Sequence, residues 1–248
     1  MFTTSTRFQS AVLTSLRASL AASCVATLFA ATAFAGSFED GYSAYTRGDY
    51  TTALQFFVPL AEAGNREAEY SVGVMYANGR GLPQSYVEAA KWFHRAADKG
   101  QAGAQYDLGV FYAKGQGVKE DSAEAAKWFR KAADQGKASA QYNLAYLYTV
   151  GQGVPQDFGE ATKWYRKAAD QGDIDAQNEL GTLYGNGQGV LKDYVEAYRW
   201  FEIAATRDPG ADFEVHDNAI KNRDLLAKRM TAEQIAAAQK LVQAWKAR

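Results

Sequence analysis

Residues 101–136 read QAGAQYDLGVFYAKGQGVKEDSAEAAKWFRKAADQG, and the following stretch, 137–172, repeats them at 22 of 36 positions. That match sets a ruler for most of the chain. Trp92, Trp128, Trp164 and Trp200 stand 36 residues apart, as do Tyr76, Tyr112, Tyr148 and Tyr184. The glycine pairs Gly79/Gly81, Gly115/Gly117, Gly151/Gly153 and Gly187/Gly189 keep the same step, and Ala53, Ala89, Ala125, Ala161 and Ala197 carry it to five units. A fixed period of this length is the mark of a stacked repeat protein. Each period reads as two helices. The first, Ala104 to Lys114, is broken only by Gly109 and stops at Gly115, a residue suited to ending a helix. A Gly-x-Gly-Val loop follows, and its glycines call for positive φ. The second helix is predicted to start at Asp121, with Glu124 three residues on as an aspartate version of the capping box. Ser85/Glu88, Asp157/Glu160 and Asp193/Glu196 repeat that pair. Apolar residues at 125, 128, 129, 132 and 133 recur at helical spacing, which turns Trp128 and Phe129 into the stack.

Working outward, the units are expected at 65–100, 101–136, 137–172 and 173–208, preceded by an atypical first unit at 36–64. There Asp49 falls at the cap position and Phe56 at the tryptophan position, and the loop is shorter, as in an end-capping repeat. After Gly210 the period is lost. A helix is expected around Phe213–Lys228, and Thr231/Gln234 predict a capping box opening another that runs to about Lys246. Residues 209–248 are thus expected to form a helical C-terminal cap, with a helix that docks on a partner as the other reading.

The pattern Ala-x-x-x-Leu-Gly-x-x-Tyr-x-x-Gly-x-Gly-Val, then Ala-x-x-Trp-x-x-x-Ala-Ala-x-x-Gly, resembles the Sel1-like repeat family, relatives of tetratricopeptide repeats. Residues 101–117 with 125–136 carry it most fully. Unit 137–172 departs with Ala145 for the helix glycine, and unit 173–208 ends in Asp208-Pro209. The resemblance implies an all-α fold, a right-handed α/α superhelical solenoid of helix-turn-helix repeats. It also implies a scaffold that binds a protein segment on its concave face.

The first 35 residues differ in kind from the rest. They hold Arg7 and Arg17, no acid, an apolar or small stretch from Ala18 to Ala35, and the ending Ala33-Phe34-Ala35. These are the parts of a secretory signal peptide, with cleavage expected after Ala35 and a periplasmic or secreted product without a membrane span. Cys24, the single cysteine, lies inside this segment. Ala21-Ala22-Ser23 before it lacks the leucine-rich box of a lipoprotein, so no lipid anchor is expected there. The mature chain would then carry no cysteine, and packing alone must stabilise it. The formal charge of the whole chain is −1, with no block of like charge at either end, which gives no electrostatic basis for binding nucleic acid.

Little in the mature sequence points to catalysis, a metal or a cofactor. His94 stands where later units have Arg130, Arg166 and Glu202, a position that tolerates either charge and so reads as a solvated helix face. His216, between Glu214 and Asp217, reads as a surface histidine. The Gly-x-Gly loops follow a helix and lack the Gly-Lys-Ser/Thr ending of a phosphate loop. Some exported relatives are described as binding or hydrolysing β-lactams, but those are cysteine-rich. An envelope hydrolase is therefore the alternative reading, and a glycan-binding module a third.

The candidate partner-binding surface comes from the first helices. Ala104, Leu108 and Tyr112 form the packed stripe, while positions 103, 106, 107 and 110 form another. Across units this second stripe supplies Tyr70 and Ser71, then Tyr106, Asp107 and Val110, then Tyr142, Asn143 and Tyr146, then Asn178, Glu179 and Thr182. Tyrosines interleaved with amides and acids suit a peptide, since tyrosine offers rigid contact area at low entropic cost. Packing between repeats would equally account for Tyr70, Tyr106 and Tyr142. The expected partner is a protein or peptide segment of the cell envelope, with a glycan as the other possibility.

Overall fold

The computed structural model describes residues 37–206 and 213–246. The expected leader at 1–35, its cleavage point and Cys24 lie outside the described residues, as do Asp208, Pro209 and Gly210. The chain divides into two compact units, one ending at Gln84 and one beginning at Ser85. The first contains α1 (Phe38–Thr46), α2 (Tyr50–Glu62) and α3 (Arg66–Asn78). The second contains α4 (Tyr86–Asp98), α5 (Ala102–Lys114), α6 (Ser122–Asp134), α7 (Ala138–Val150), α8 (Phe158–Asp170), α9 (Ile174–Asn186) and α10 (Tyr194–Ala205), then α11 (Phe213–Ala227) and α12 (Ala232–Lys246). From α1 to α3 and from α4 to α11 each helix packs on its sequence neighbours within its unit, the arrangement of a helical-hairpin solenoid, and α11 and α12 both close over α10.

Each repeat ends its first helix on a left-handed glycine. Gly115, Gly151 and Gly187 have φ of 65°, 71° and 72°, and each N–H closes on the carbonyl four residues back. The second loop glycine has a further task. A Cβ on Gly117, Gly153 or Gly189 would stand 2.1–2.2 Å from the carbonyl oxygen of Tyr86, Ser122 or Phe158. Those are the opening residues of α4, α6 and α8, so each loop lies directly on the second helix of the repeat before it.

The second helices begin as the sequence predicts, with Asp121, Asp157 and Asp193 accepting from the second and third N–H groups that follow. The reciprocal half of the capping box is not formed. The N–H of each aspartate already donates, at 2.9–3.0 Å, to the carbonyl of Tyr112, Tyr148 or Tyr184, pinning the loop to its own first helix. Glu124 and Glu160 bond instead to Lys127 and Lys163. At Thr231 both halves exist, with its N–H on Gln234 Oε1 and its Oγ1 accepting from the Gln234 N–H.

The core is small-residue and aromatic. Ala125, Ala132, Ala161, Ala168 and Ala197 are fully buried and let helices approach closely; Trp128, Phe129, Trp164 and Trp200 fill the remaining space. A glutamine at one register position sits inside in three successive repeats. Gln105, Gln141 and Gln177 donate to the carbonyls of Ala97, Ala133 and Ala169, satisfying the end of the preceding second helix.

Candidate partner-binding face

The first helices present two rows of different character. Leu108, Leu144 and Leu180 are completely enclosed, whereas Tyr106, Asp107, Val110, Tyr142, Asn143, Asn178, Glu179 and Thr182 are all half-buried. Tyr146 is exposed, at 47% of its surface. In the first unit, Tyr70 and Ser71 are half-buried on α3, where they line a small cleft with Tyr42, Tyr45, Phe57 and Val74. The remaining candidates belong to the second unit.

Within that unit the tyrosines lean on their own repeats. Tyr106 packs on Phe129 with ring centroids 5.9 Å apart, and Tyr142 on Tyr165 at 5.6 Å. Burial, then Asp107, pushes the Tyr106 phenol above its ordinary pKa, opposed by a hydrogen bond with Asn143. Tyr142 is pushed up further, first by burial and then by Asp175, Glu179 and Asp173. Burial and the neighbouring Asp175 also raise the carboxyl pKa of Glu179. At the far end of the row, Asn178 is already engaged: Asn222 Nδ2 of α11 donates to its Oδ1 at 3.1 Å. Thr182 borders a cleft with Asn222, Leu225 and Arg229 under the same helix. The cap therefore covers part of the α9 row, leaving Glu179 at its edge.

The raised Glu179 carboxyl has a consequence for stability. Its folded-state pKa lies above the unfolded value, so the folded chain binds the proton more tightly, and stability falls as pH rises from the unfolded value through the folded one. Glu179→Gln is expected to melt higher than the parent at pH 7, with the difference shrinking toward pH 4. Thermal denaturation at the two pH values checks this; a variant that melts lower at pH 7 contradicts it.

Both histidine expectations need correction. The position of His94 is not a solvated face but a tie between successive repeats. His94 Nε2 lies 3.1 Å from Tyr112 Oη and the ring meets Trp128 edge-on. Arg130 and Arg166 donate to the Tyr148 and Tyr184 hydroxyls and lie over Trp164 and Trp200, 5.5 and 5.2 Å from the ring centroids. Glu202 accepts from Arg223 of the cap. Burial in this tie holds the His94 pKa below the ordinary imidazole value, against the raising effects of Asp98 and Glu124. His216 is likewise not on the surface: its ring is 17% exposed and Nε2 donates to the Ala205 carbonyl at 3.0 Å. Tyr165 and Asn222, both part of this region, were not among the sequence candidates. The tyrosine at 165, where the preceding unit has Phe129, was the available signal for the first.

Helical hairpins in 36-residue register, glycine-closed loops and a half-buried row of varied side chains define a helical repeat protein of the interaction type. Four Sel1 repeats match at residues 66–101, 102–137, 138–173 and 174–209, more than half of the chain, and the chain belongs to the Sel1-repeat family. Such repeats generally serve as non-catalytic scaffolds for protein interaction. The chain is similar to a Sel1 repeat protein from Oxalobacter formigenes, at 29% identity over 75% of this chain and 85% of that one, with a TM-score of 0.67. It is also similar to a protective antigen of uropathogenic Escherichia coli strains that displays an SLR fold, at 36% identity over 79% of this chain and 46% of that one, again with a TM-score of 0.67. No curated protein matches the chain. Among the described residues no helix is long and apolar enough to cross a membrane.

Proposed function

We propose that this chain is a non-catalytic scaffold of the cell envelope, periplasmic once its leader is removed, that holds a segment of another protein against the row of first-helix side chains in its second unit. One observation carries the reading. Tyr106, Asp107, Tyr142 and Asn143 vary in chemistry and are only half-buried, and Tyr146 is exposed, while the leucines beside them are sealed into the core. Packing requires the leucines; it does not require an asparagine followed one turn later by an exposed tyrosine. Rigid aromatic area set among amides and acids is the composition of surfaces that bind polypeptides. The basic, apolar and small-residue order of residues 1–35 supports the envelope location.

The test is a double substitution, Asn143→Ala with Tyr146→Ala. Binding of the partner recovered by crosslinking in the cell is expected to weaken by about tenfold or more. The melting temperature should move by no more than a few degrees, since neither side chain is in the core. Undiminished binding by that variant contradicts the reading.

A further inference from the structure

Acids act on successive tyrosines of this row, but a cation lies near the ring of only the first among the cation–ring contacts of the described residues. Tyr106 already has a cation: Lys137 Nζ stands 5.0 Å from its ring centroid. One repeat on, the register of Lys137 is occupied by Asp173, the N-cap of α9, and the charges acting on Tyr142 are Asp175, Glu179 and Asp173. Glu179 is the key member. It is half-buried, its carboxylate makes no hydrogen bond or ion pair among the described residues, and the charge acting on it is the like-charged Asp175 one turn earlier. A carboxylate removed from water without a countercharge is costly, so the site is built for a cation that the chain itself does not supply.

A second observation points the same way. Tyr165 is 1% exposed, its ring lies against Tyr142, and its hydroxyl oxygen has no partner in hydrogen-bonding geometry. The nearby Thr149 hydroxyl gives its proton to the Ala145 carbonyl at 3.0 Å. The Tyr165 oxygen, sealed from solvent, lies near Thr149, Glu179 and Tyr146, while Tyr146 offers an open ring at the rim.

We propose that this corner of the second unit receives a cationic side chain, arginine by preference, from the partner's segment, laid on the rings of Tyr142 and Tyr146 and paired with Glu179. The proposal rests on the protein-binding reading above and names the chemistry of what is bound. A guanidinium meets each requirement: a countercharge for Glu179, attraction to the tyrosine faces, and paired N–H groups that fit a carboxylate. The pairing of Lys137 with Tyr106 is the chain's own instance of the same contact.

The test titrates the purified chain, carrying 13C-labelled tyrosine rings, with acetyl-Gly-Arg-Gly-amide and with its citrulline counterpart, which keeps the shape and loses the charge. The arginine peptide is expected to shift the Tyr142 and Tyr146 signals saturably, with the citrulline peptide at least about tenfold weaker. Glu179→Gln is expected to cut arginine binding about fivefold or more while the chain remains folded. Equal response to both peptides, or unchanged affinity in Glu179→Gln, overturns the proposal. A partner segment crosslinked from position 146 that contains no basic residue overturns it too, and leaves the scaffold reading intact. Arginine-specific shifts at Tyr142 and Tyr146 in a chain that crosslinks to no protein would instead support the cation site and remove the scaffold reading.

Discussion

Gly153→Ala is expected to lose more than about 3 kcal/mol of stability and to loosen one repeat from the next. Two costs add. The residue sits at φ 73°, where an L side chain is strained by about 1–2 kcal/mol. The added Cβ would also stand 2.1 Å from the Ser122 carbonyl oxygen, a backbone atom that opens α6 and cannot rotate away. Only separation of the loop from that helix relieves the contact. Gly136→Ala isolates the first cost, since its φ is 90° and a Cβ there meets nothing within 4 Å. Urea unfolding of the two variants should therefore differ by at least about 1–2 kcal/mol. Equal losses would mean that the close approach of loop to helix does not bind the repeats together.

Trp200→Ala is the second large effect, with an expected loss of about 3–5 kcal/mol. Its indole is completely buried, and the Arg166 and Arg199 guanidinium groups lie over it, 5.2 and 4.6 Å from the ring centroid. Removing it leaves a cavity beneath α10, on which both cap helices rest. Because each element of a solenoid is supported chiefly by its neighbours, the cap should lose amide protection before the repeats near α5 do. Trp92→Ala, at a half-buried indole, should cost distinctly less. Hydrogen exchange resolves the order of loss. Uniform loss along the second unit would contradict the nearest-neighbour account.

The features of this fold that were legible in sequence are those fixed by chain-local chemistry. Glycines at 115, 151 and 187 end helices because only they accept the left-handed backbone without strain, and aspartates at 121, 157 and 193 start helices because their side chains reach the next N–H groups. The contacts between repeats were less visible. Position 94, with its counterparts at 130, 166 and 202, holds imidazole, guanidinium and carboxylate, which on composition alone resembles solvent exposure. In three dimensions each finds a matched partner: Tyr112, Tyr148, Tyr184 and Arg223. The spacing of 18 residues from Arg130 to Tyr148 and from Arg166 to Tyr184 was present in the sequence, but its meaning depends on how repeats stack. The capping box failed at Asp121 for a similar reason, because the Tyr112 carbonyl, nine residues away in the chain, had already taken the N–H.

The candidate face was legible as a periodic row but not in its detail. Helical spacing placed Tyr106, Tyr142 and Glu179 on one side of their helices. It could not show that α11 would engage Asn178, that Lys137 would cover Tyr106, or that Glu179 would be left without a countercharge. Those outcomes depend on side chains from other repeats and from the cap.

The central claim is that the first-helix row, and not the exposed surface of the second helices, meets the partner. The most direct measurement places a photo-crosslinking amino acid at position 146 in one variant and at position 163 in another, and crosslinks both in the cell. Lys163 is a fair comparison, since its side chain is 70% exposed on α8, a second helix. The account predicts that position 146 captures one defined protein and that position 163 captures none. Capture of the same protein from both positions, or from position 163 alone, would contradict it.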